Sequence, residues 1–268
     1  MKISIVTATY NSGATLRDTM ESVLRQTYTQ IEHIIVDGAS TDNTMDIVRE
    51  LEPLYQGRLR YVSEPDRGIY DAMNKGIAMA SGDIIGILNS DDFFTADTIV
   101  ATLAAELADQ EIDAVYADVH YVDDSDLSRS VRYYSSRTFR PWMMKLGFQP
   151  AHPTFYCRKS VYDRHGSFDI NFRVAADFEH LLRLIYIQRI PTRYIPLDCV
   201  AMRTGGASTS GVKSHLRILS DHLKAYRKNG VNSNLFLDAS RYVYKASEVL
   251  NSKVNNIRNR NNRILTER

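Results

Sequence analysis

Two adjacent carboxylates, Asp91 and Asp92, lie just beyond the apolar stretch 84–88. Carboxylates this close repel each other unless a cation or hydrogen-bond donors compensate their charge. Mg²⁺ suits such a place, because it takes oxygen ligands and is often held by one or two carboxylates together with substrate phosphates. The alternative is that Asp92 only caps the helix that follows it. The position of the pair at the end of a strand favours a metal site.

Two further acidic residues stand where they could contact a substrate. Asp37 ends the apolar stretch 33–36, where an acid can accept a hydrogen bond from a nucleotide. Since Asp37 precedes a glycine, it is equally well interpreted as a turn residue. Asp177 directly precedes an apolar helical pattern, which by itself favours a plain N-cap. Within reach of a hydroxyl, Asp177 could instead act as a general base.

Short β-branched stretches alternate with helical patterns over the first 120 residues, which predicts an α/β fold with a mostly parallel sheet flanked by helices. The strand-like stretches are residues 3–8, 33–36, 60–62, 84–88 and 114–116. Ligands of such sheets bind outside the carboxyl ends of the strands. This rule selects residues 9–13, 37–41 and 89–92. Beyond residue 120 the alternation ends, and residues 121–140 show no clear period.

The composition excludes several classes of protein. The chain has 268 residues, 44% of them apolar, and a net charge of +1, which is typical of a folded protein rather than a disordered one. No stretch approaches the roughly 18 apolar residues that span a bilayer, and the N-terminus lacks the apolar core of a signal peptide. Two distant cysteines exclude a disulfide framework and a four-cysteine zinc site. We therefore expect a cytoplasmic enzyme or binding protein.

Four segments occur in a fixed order and together carry a resemblance to a known family. They are TATYN at 7–11, VDGASTD at 36–42, DRGIYDAMNKG at 66–76 and LNSDD at 88–92. They resemble the inverting family 2 glycosyltransferases of the Rossmann-like GT-A fold, particularly bacterial enzymes that build polysaccharide. The match is dense over residues 1–95, thinner through 176–177 and 205–208, and absent beyond about residue 212.

The resemblance implies a role for each matching residue. Thr7, Thr9 and Asn11 would wrap the nucleotide, Asp37 would contact its base, and Arg67, Asp71 and Asn74 would line the base and diphosphate. Asp92 would be the principal ligand of Mg²⁺ or Mn²⁺, Asp91 would bind the metal or the ribose, Asp177 would be the general base, and Gly205 and Gly206 would lie on a loop that closes over the donor. Two residues depart from the usual pattern, because many relatives have Asp at the position of Asn89 and Glu at that of Ala176. No Gln-x-x-Arg-Trp motif of processive synthases is present, so single-sugar transfer is expected.

The resemblance thus predicts a metal-dependent inverting hexosyl- or N-acetylhexosaminyltransferase. It would move one sugar from a nucleotide-diphosphate donor, expected to be UDP-linked, to a hydroxyl of a saccharide or lipid-linked saccharide in bacterial surface polysaccharide synthesis. A sugar nucleotidyltransferase and a catalytically inactive nucleotide-binding scaffold remain alternatives. The first would need a glycine-rich basic loop after the first strand, which residues 10–13 do not provide. The intact acidic residues disfavour the second.

We divide the chain into a catalytic GT-A domain at 1–212 and a basic helical extension at 213–268. Within the domain, 1–117 would bind the nucleotide sugar and 118–212 the acceptor. The extension carries 12 Lys and Arg against 4 Asp and Glu, whereas the rest of the chain has a net charge of −7. No nucleic-acid partner is predicted. The apolar stripes of the extension leave three roles open: packing on the catalytic domain, peripheral contact with the inner face of an anionic membrane, or formation of a homodimer.

Overall fold

The computed structural model describes residues 1–204 and 211–240, in which nine strands form one sheet with helices on both faces. The strands are β1 (Ile3–Thr9), β2 (Ile31–Asp37), β3 (Leu59–Ser63), β4 (Ile84–Ile87), β5 (Phe93–Phe94), β6 (Ala114–Asp123), β7 (Asp126–Tyr134), β8 (Tyr156–Arg158) and β9 (Thr192–Arg203). The helices are α1 (Leu16–Leu24), α2 (Thr44–Leu51), α3 (Ile69–Met79), α4 (Ile99–Leu107), α5 (Lys159–His165), α6 (Ala176–Leu181) and α7 (Gly211–Lys228). The predicted α/β fold is confirmed.

The sheet runs in the order β3-β2-β1-β4-β8-β6-β9-β5, with β7 paired to β6. Strands β1 to β4 pair in parallel, and so do β6 and β9. The remaining pairings, made by β5, β7 and β8, are antiparallel, so the second half of the sheet is mixed. Thr9 pairs with Asp37, and Asp37 with Ser63, so the carboxyl ends of the first three strands are level with one another.

Helices cover both faces of this sheet because the strands are buried on both sides. Along β1, Ile3 and Ile5 pack toward α1, α2 and α4, whereas Val6 and Ala8 pack toward α3, α5, α6 and α7. This alternation is the period of two that a strand imposes. Helix α3 lies close to β1 at Gly76, where a Cβ atom would stand 2.2 Å from a methyl carbon of Val6.

The region after residue 120 holds elements that the sequence did not predict. Strand β7 forms a hairpin with β6, and most of its residues are exposed, so it has no apolar period to detect. The division that we predict at 117/118, between the nucleotide-sugar half and the acceptor half of the domain, falls within β6. Three short 3₁₀ segments also occur in the described chain, at Glu52–Tyr55, Pro141–Leu146 and His152–Thr154.

The first helix of the basic extension packs on the preceding part of the chain. Ala225 and Tyr226 of α7 are buried in the core, and the Lys228 ammonium pairs with Asp169 at 2.8 Å and with Glu179 at 2.9 Å. Packing is therefore the observed role of this helix. The last helix predicted from the sequence, around 243–257, lies outside the described residues. Within the part that is described, no helix is both long and apolar enough to cross a membrane.

Candidate active site at the carboxyl ends of the strands

The loops after β1 and β2 are fastened to each other. The buried Asp37 carboxylate accepts hydrogen bonds from the Ser40 backbone N–H at 3.0 Å, the Ser40 hydroxyl at 2.5 Å and the Ser63 hydroxyl at 2.6 Å. Asn11 has a φ of 51° and accepts a bond from the Thr41 backbone N–H at 2.9 Å, while its own N–H donates to the Ser40 hydroxyl. Asp37 therefore sets the shape of its own loop, and Asn11 joins that loop to the end of β1.

A second contact brings the loop after β4 to the same place. The Ser12 and Ser90 hydroxyls lie 2.9 Å apart, and the Thr15 hydroxyl donates to the Ser90 carbonyl at 2.9 Å. The prediction that residues 9–13, 37–41 and 89–92 lie together is confirmed. Three neighbouring strand ends thus form one rim, as the level ends of parallel strands require.

The two threonines of β1 differ in what their side chains can do. The Thr7 hydroxyl donates to the Leu88 carbonyl at 2.7 Å and lies 3.0 Å from His33 Nε2, so it is used inside the fold. The Thr9 hydroxyl, at the strand end, is buried and has no hydrogen-bond partner among the described residues. A buried hydroxyl without a partner is costly. Thr9 is therefore the better placed of the two to receive a group from a ligand.

The 66–76 segment has one exposed polar pair and one structural amide. Arg67 pairs with Asp71 at 2.8 Å, and this pair holds the pKa of the Asp71 carboxyl below its usual value. The Asn74 amide instead donates to the Phe168 carbonyl at 2.8 Å and accepts from its N–H at 3.0 Å. Asn74 thus fastens α3 to the chain around Phe168, a use that the sequence did not reveal.

Asp92 is buried and Asp91 half-buried, and few positive charges or hydrogen-bond donors compensate the pair. Asp92 is 2% exposed and accepts a hydrogen bond from the Asn89 amide at 2.8 Å. Burial and the neighbouring Asp91 raise the pKa of Asp92 well above its usual value, and burial raises the pKa of Asp91 as well. The nearby cation is Arg203, whose guanidinium is already paired with Asp18 and Asp124.

These residues fit a divalent cation, because two hard oxygen donors with unbalanced charge are what Mg²⁺ and Mn²⁺ prefer. In residues 1–204 and 211–240, no cluster of three or more His, Cys, Asp or Glu side chains is arranged to hold a metal. The protein would therefore supply the two carboxylates of Asp91 and Asp92, and a bound ligand would have to supply further oxygens.

Asp177 is not the N-cap that its sequence position favours. The N-cap position of α6 is Ala175, and the backbone N–H groups of Val174 and Ala175 both donate to the Asp221 carboxylate of α7, at 3.0 and 3.2 Å. Asp221 thus accepts hydrogen bonds from the backbone at the start of α6. The interpretation of Asp177 as a cap is wrong, and its carboxylate is left for other contacts.

Two side chains orient the Asp177 carboxylate. The Tyr70 hydroxyl lies 3.2 Å from one oxygen, and the Gln149 amide donates to the other at 3.0 Å. Burial lowers the pKa of the nearby His152 imidazole. Both contacts of the Asp177 carboxylate are hydrogen-bond contacts with uncharged side chains, and neither is an ion pair.

Three residues of this region were missed by sequence reasoning. Tyr70 lies within the 66–76 segment but looks like part of an apolar helix face, and Gln149 lies in a stretch without period. Tyr10, 63% exposed, stands beside Gly38 on the rim, within a motif already noted. The predicted loop residues Gly205 and Gly206 lie outside the described residues.

Comparisons with known proteins agree with this geometry. A family model described as glycosyl transferase family 2 matches residues 4–165, which is more than half of the chain. A PGL/p-HBAD biosynthesis glycosyltransferase of Mycobacterium bovis is 32% identical over 194 residues, covering 72% of this chain and 73% of the relative.

Two solved structures share the fold at low sequence identity. S. aureus TarS 1–349 in complex with UDP-GlcNAc matches with a TM-score of 0.66 and 17% identity, over 90% of this chain and 71% of that one. This chain spans only 39% of a longer TarS structure. The mannosyltransferase PcManGT from Pyrobaculum calidifontis, in complex with GDP-Man and Mn²⁺, matches with a TM-score of 0.59 and 17% identity, over 93% and 80% of the two chains.

Proposed function

The chain belongs to glycosyl transferase family 2, and from this premise we propose that it moves one sugar from a nucleotide-diphosphate sugar, expected to be UDP-linked, to an acceptor hydroxyl. TarS and PcManGT are named with bound UDP-GlcNAc and GDP-Man, which supports a nucleotide-sugar donor. The acceptor would be a saccharide or lipid-linked saccharide of surface polysaccharide synthesis, reached from the cytoplasmic side. The relative named as a PGL/p-HBAD biosynthesis glycosyltransferase supports the transfer of a sugar to an acceptor.

The contact between Tyr70 and Asp177 carries the proposal. Tyr70 belongs to the 66–76 segment beside the rim, whereas Asp177 begins the helix of the other half, 107 residues later. The single Tyr70 hydroxyl proton is directed to the Val174 carbonyl at 2.6 Å and lies within reach of the Asp177 carboxylate, so the two halves are fixed to each other here. A carboxylate held at the edge of a nucleotide-binding rim has the placement that a general base requires.

The proposed reaction is a single displacement. Asp177 takes the proton of the acceptor hydroxyl, and the hydroxyl oxygen attacks the anomeric carbon from the face opposite the nucleotide. The bond from that carbon to the diphosphate oxygen breaks as the new bond forms, so the configuration inverts and no covalent enzyme intermediate is needed. General base action of this kind contributes roughly 10²–10⁴-fold.

The rim residues would hold the donor during this step. Asp91 and Asp92 would hold Mg²⁺ or Mn²⁺, which when bound neutralises charge on the diphosphate. Asn11, Asp37 and the Arg67–Asp71 pair would contact the nucleoside, and Thr9 would offer its hydroxyl. Thr7 and Asn74 would act at a distance, by fixing β1 to β4 and α3 to Phe168.

A thermal-shift series tests the donor site. The chain is heated with UDP, GDP or dTDP, each with Mn²⁺, and with Mn²⁺ alone. A nucleotide at 100 times its Kd stabilises the fold by about 2.7 kcal/mol, a midpoint shift of roughly 5 °C or more. Asp92→Asn should lose the shift, whereas the exposed Asp46→Asn on the outer side of α2 should keep it. If none of the nucleotides moves the midpoint, the proposed donor class is wrong.

Turnover distinguishes the proposal from its two alternatives. A glycosyltransferase releases a nucleoside diphosphate from its sugar donor, and acceptor accelerates that release. A sugar nucleotidyltransferase would release pyrophosphate from a nucleoside triphosphate and a sugar phosphate. An inactive scaffold would bind nucleotide and release neither product.

A further inference from the structure

Residues 136–151 form a closed loop beside the proposed base. The two ends meet where the Ala151 N–H donates to the Ser136 hydroxyl at 3.2 Å. Phe139, 6% exposed, and Met144, fully buried, anchor the loop in the hydrophobic core of the protein. Compact surface loops of this length are frequently functional. The loop is therefore held in a fixed position at the surface of the protein.

The outer side of the loop is basic and aromatic. Arg137 and Arg140 are exposed, and Trp142 is 59% exposed. The sequence from 127 to 162 contains no Asp or Glu, and within the described part of the chain neither arginine forms an ion pair. The guanidinium of Arg140 instead donates to the Phe139 carbonyl at 2.8 Å. These positive charges have no counterpart in the fold.

A second segment extends this surface with apolar side chains. The Ser233 hydroxyl donates to the Lys145 carbonyl at 2.6 Å, which fixes the start of the last described segment to the loop. Leu235, Phe236 and Leu237 follow, exposed by 45%, 84% and 40%. We define the interfacial patch as Arg137, Arg140, Trp142 and residues 235–237.

We propose that the interfacial patch rests on the surface of a membrane containing anionic lipids. A second copy of the chain would bring the same cations against one another, which is unfavourable. The sequence that follows, 241–268, has seven Lys and Arg against two Glu, so it too lacks the negative charge that would match the patch. An anionic bilayer supplies phosphate groups for the arginines and an apolar layer for Trp142 and Phe236.

The loop also connects this surface to the chemistry. Gln149, near the end of the loop, donates to the Asp177 carboxylate, and the Gln149 carbonyl accepts from the Tyr134 hydroxyl at 2.7 Å. A loop that rests on lipid would thus keep the proposed base close to the membrane surface, where a lipid-linked acceptor is held. This last step rests on the proposed function, whereas the membrane contact itself does not.

Vesicle co-sedimentation of the full chain tests the contact. The vesicles are phosphatidylcholine alone or with about 30% phosphatidylglycerol, at about 0.05 M and about 0.5 M NaCl, where screening lengths differ several-fold. We expect binding only to the anionic vesicles and only at low salt. The double variant R137A/R140A should lower the partition coefficient by about 30-fold, at the usual gain for each basic residue near an anionic surface.

Further variants distinguish the contributions that the arginines, the apolar side chains and residues 241–268 make to vesicle binding. R25A/R49A removes two exposed arginines, one just after α1 and one in α2, and should bind like the unaltered chain. W142A/F236A should weaken binding at both salt concentrations. The midpoint of thermal unfolding shows whether each variant is folded. The charge-reversal variant R137E/R140E tests the same two positions a second time.

The proposal is overturned if the chain ignores anionic vesicles at low salt, or if R137A/R140A binds as well as R25A/R49A. The latter result would assign the contact to residues 241–268. Concentration-dependent self-association that R137A/R140A leaves unchanged and W142A/F236A abolishes, without vesicle binding, would assign the patch to a dimer. Because the assay needs neither donor nor turnover, its result is independent of whether the chain proves to be a transferase.

Discussion

Asp177→Asn should abolish turnover while leaving the fold and nucleotide binding in place. The amide has nearly the shape of the carboxylate but cannot take up a proton at neutral pH. In the structure the carboxylate oxygens lie 3.2 Å from the Tyr70 hydroxyl and 3.0 Å from the Gln149 amide. The substitution therefore removes the proposed base without opening a cavity.

The expected loss of turnover and the expected loss of stability differ enough in size to be measured separately. A lost general base lowers the rate by roughly 10²–10⁴-fold, which corresponds to about 2.7–5.4 kcal/mol of activation free energy. The Asn oxygen can accept from Gln149 while its amide N–H donates to the Tyr70 oxygen, whose own proton goes to the Val174 carbonyl. At most one hydrogen bond is then lost, so the unfolding free energy should fall by no more than about 1 kcal/mol.

The assay measures release of nucleoside diphosphate with acceptor present, together with the midpoint of thermal unfolding with and without nucleotide and Mn²⁺. Asp221→Asn is the matched control, because Asp221 is a carboxylate at the same helix start that bonds only backbone N–H groups in the described contacts. Asp221→Asn should lower the free energy of unfolding and leave the turnover rate within a few-fold of that of the unaltered chain. Retention of more than about a tenth of the rate by Asp177→Asn, or an equal loss in Asp221→Asn, would refute the assignment.

Three further predictions concern buried groups. Asp92→Asn should abolish sugar transfer. It should leave the thermal midpoint of the metal-free chain unchanged or raise it, because the substitution relieves charge repulsion with Asp91. A lower midpoint would contradict this. Gly86→Ala should reduce the unfolding free energy in urea by about 1–3 kcal/mol, since its Cβ would lie 2.1 Å from the Tyr156 ring; an unchanged urea midpoint would contradict this. Burial lowers the pKa of His33 to about 3, so only the unfolded chain takes up this proton as pH falls below about 6.5, and stability should decline between about pH 6.5 and pH 4. Urea midpoints across that range check the decline, and a flat profile would exclude it.

The sequence by itself determined the first half of the fold and the rim. Stretches of apolar β-branched residues fixed β1 and β2, because strands buried on both faces cannot be built from polar residues. Since parallel strands end at one edge, the polar residues that follow them had to meet there. The contacts of Asn11 with the second loop and of Ser12 with Ser90 are as this rule requires. The order of four short motifs was enough to indicate the family.

Only the tertiary structure decided what the side chains of the second half contact. Strand β7 is exposed on most residues, so no apolar period marks it, and Gln149 lies in a loop whose path depends on how Phe139 and Met144 pack. The partner of Asp177 is Tyr70, 107 residues away, and the residue that caps its helix is Asp221 on α7. Asn74 is likewise bound by the backbone of Phe168, 94 residues away. Hydrogen bonds over such separations have no local signature, because they form only when burial of apolar faces has brought the helices together.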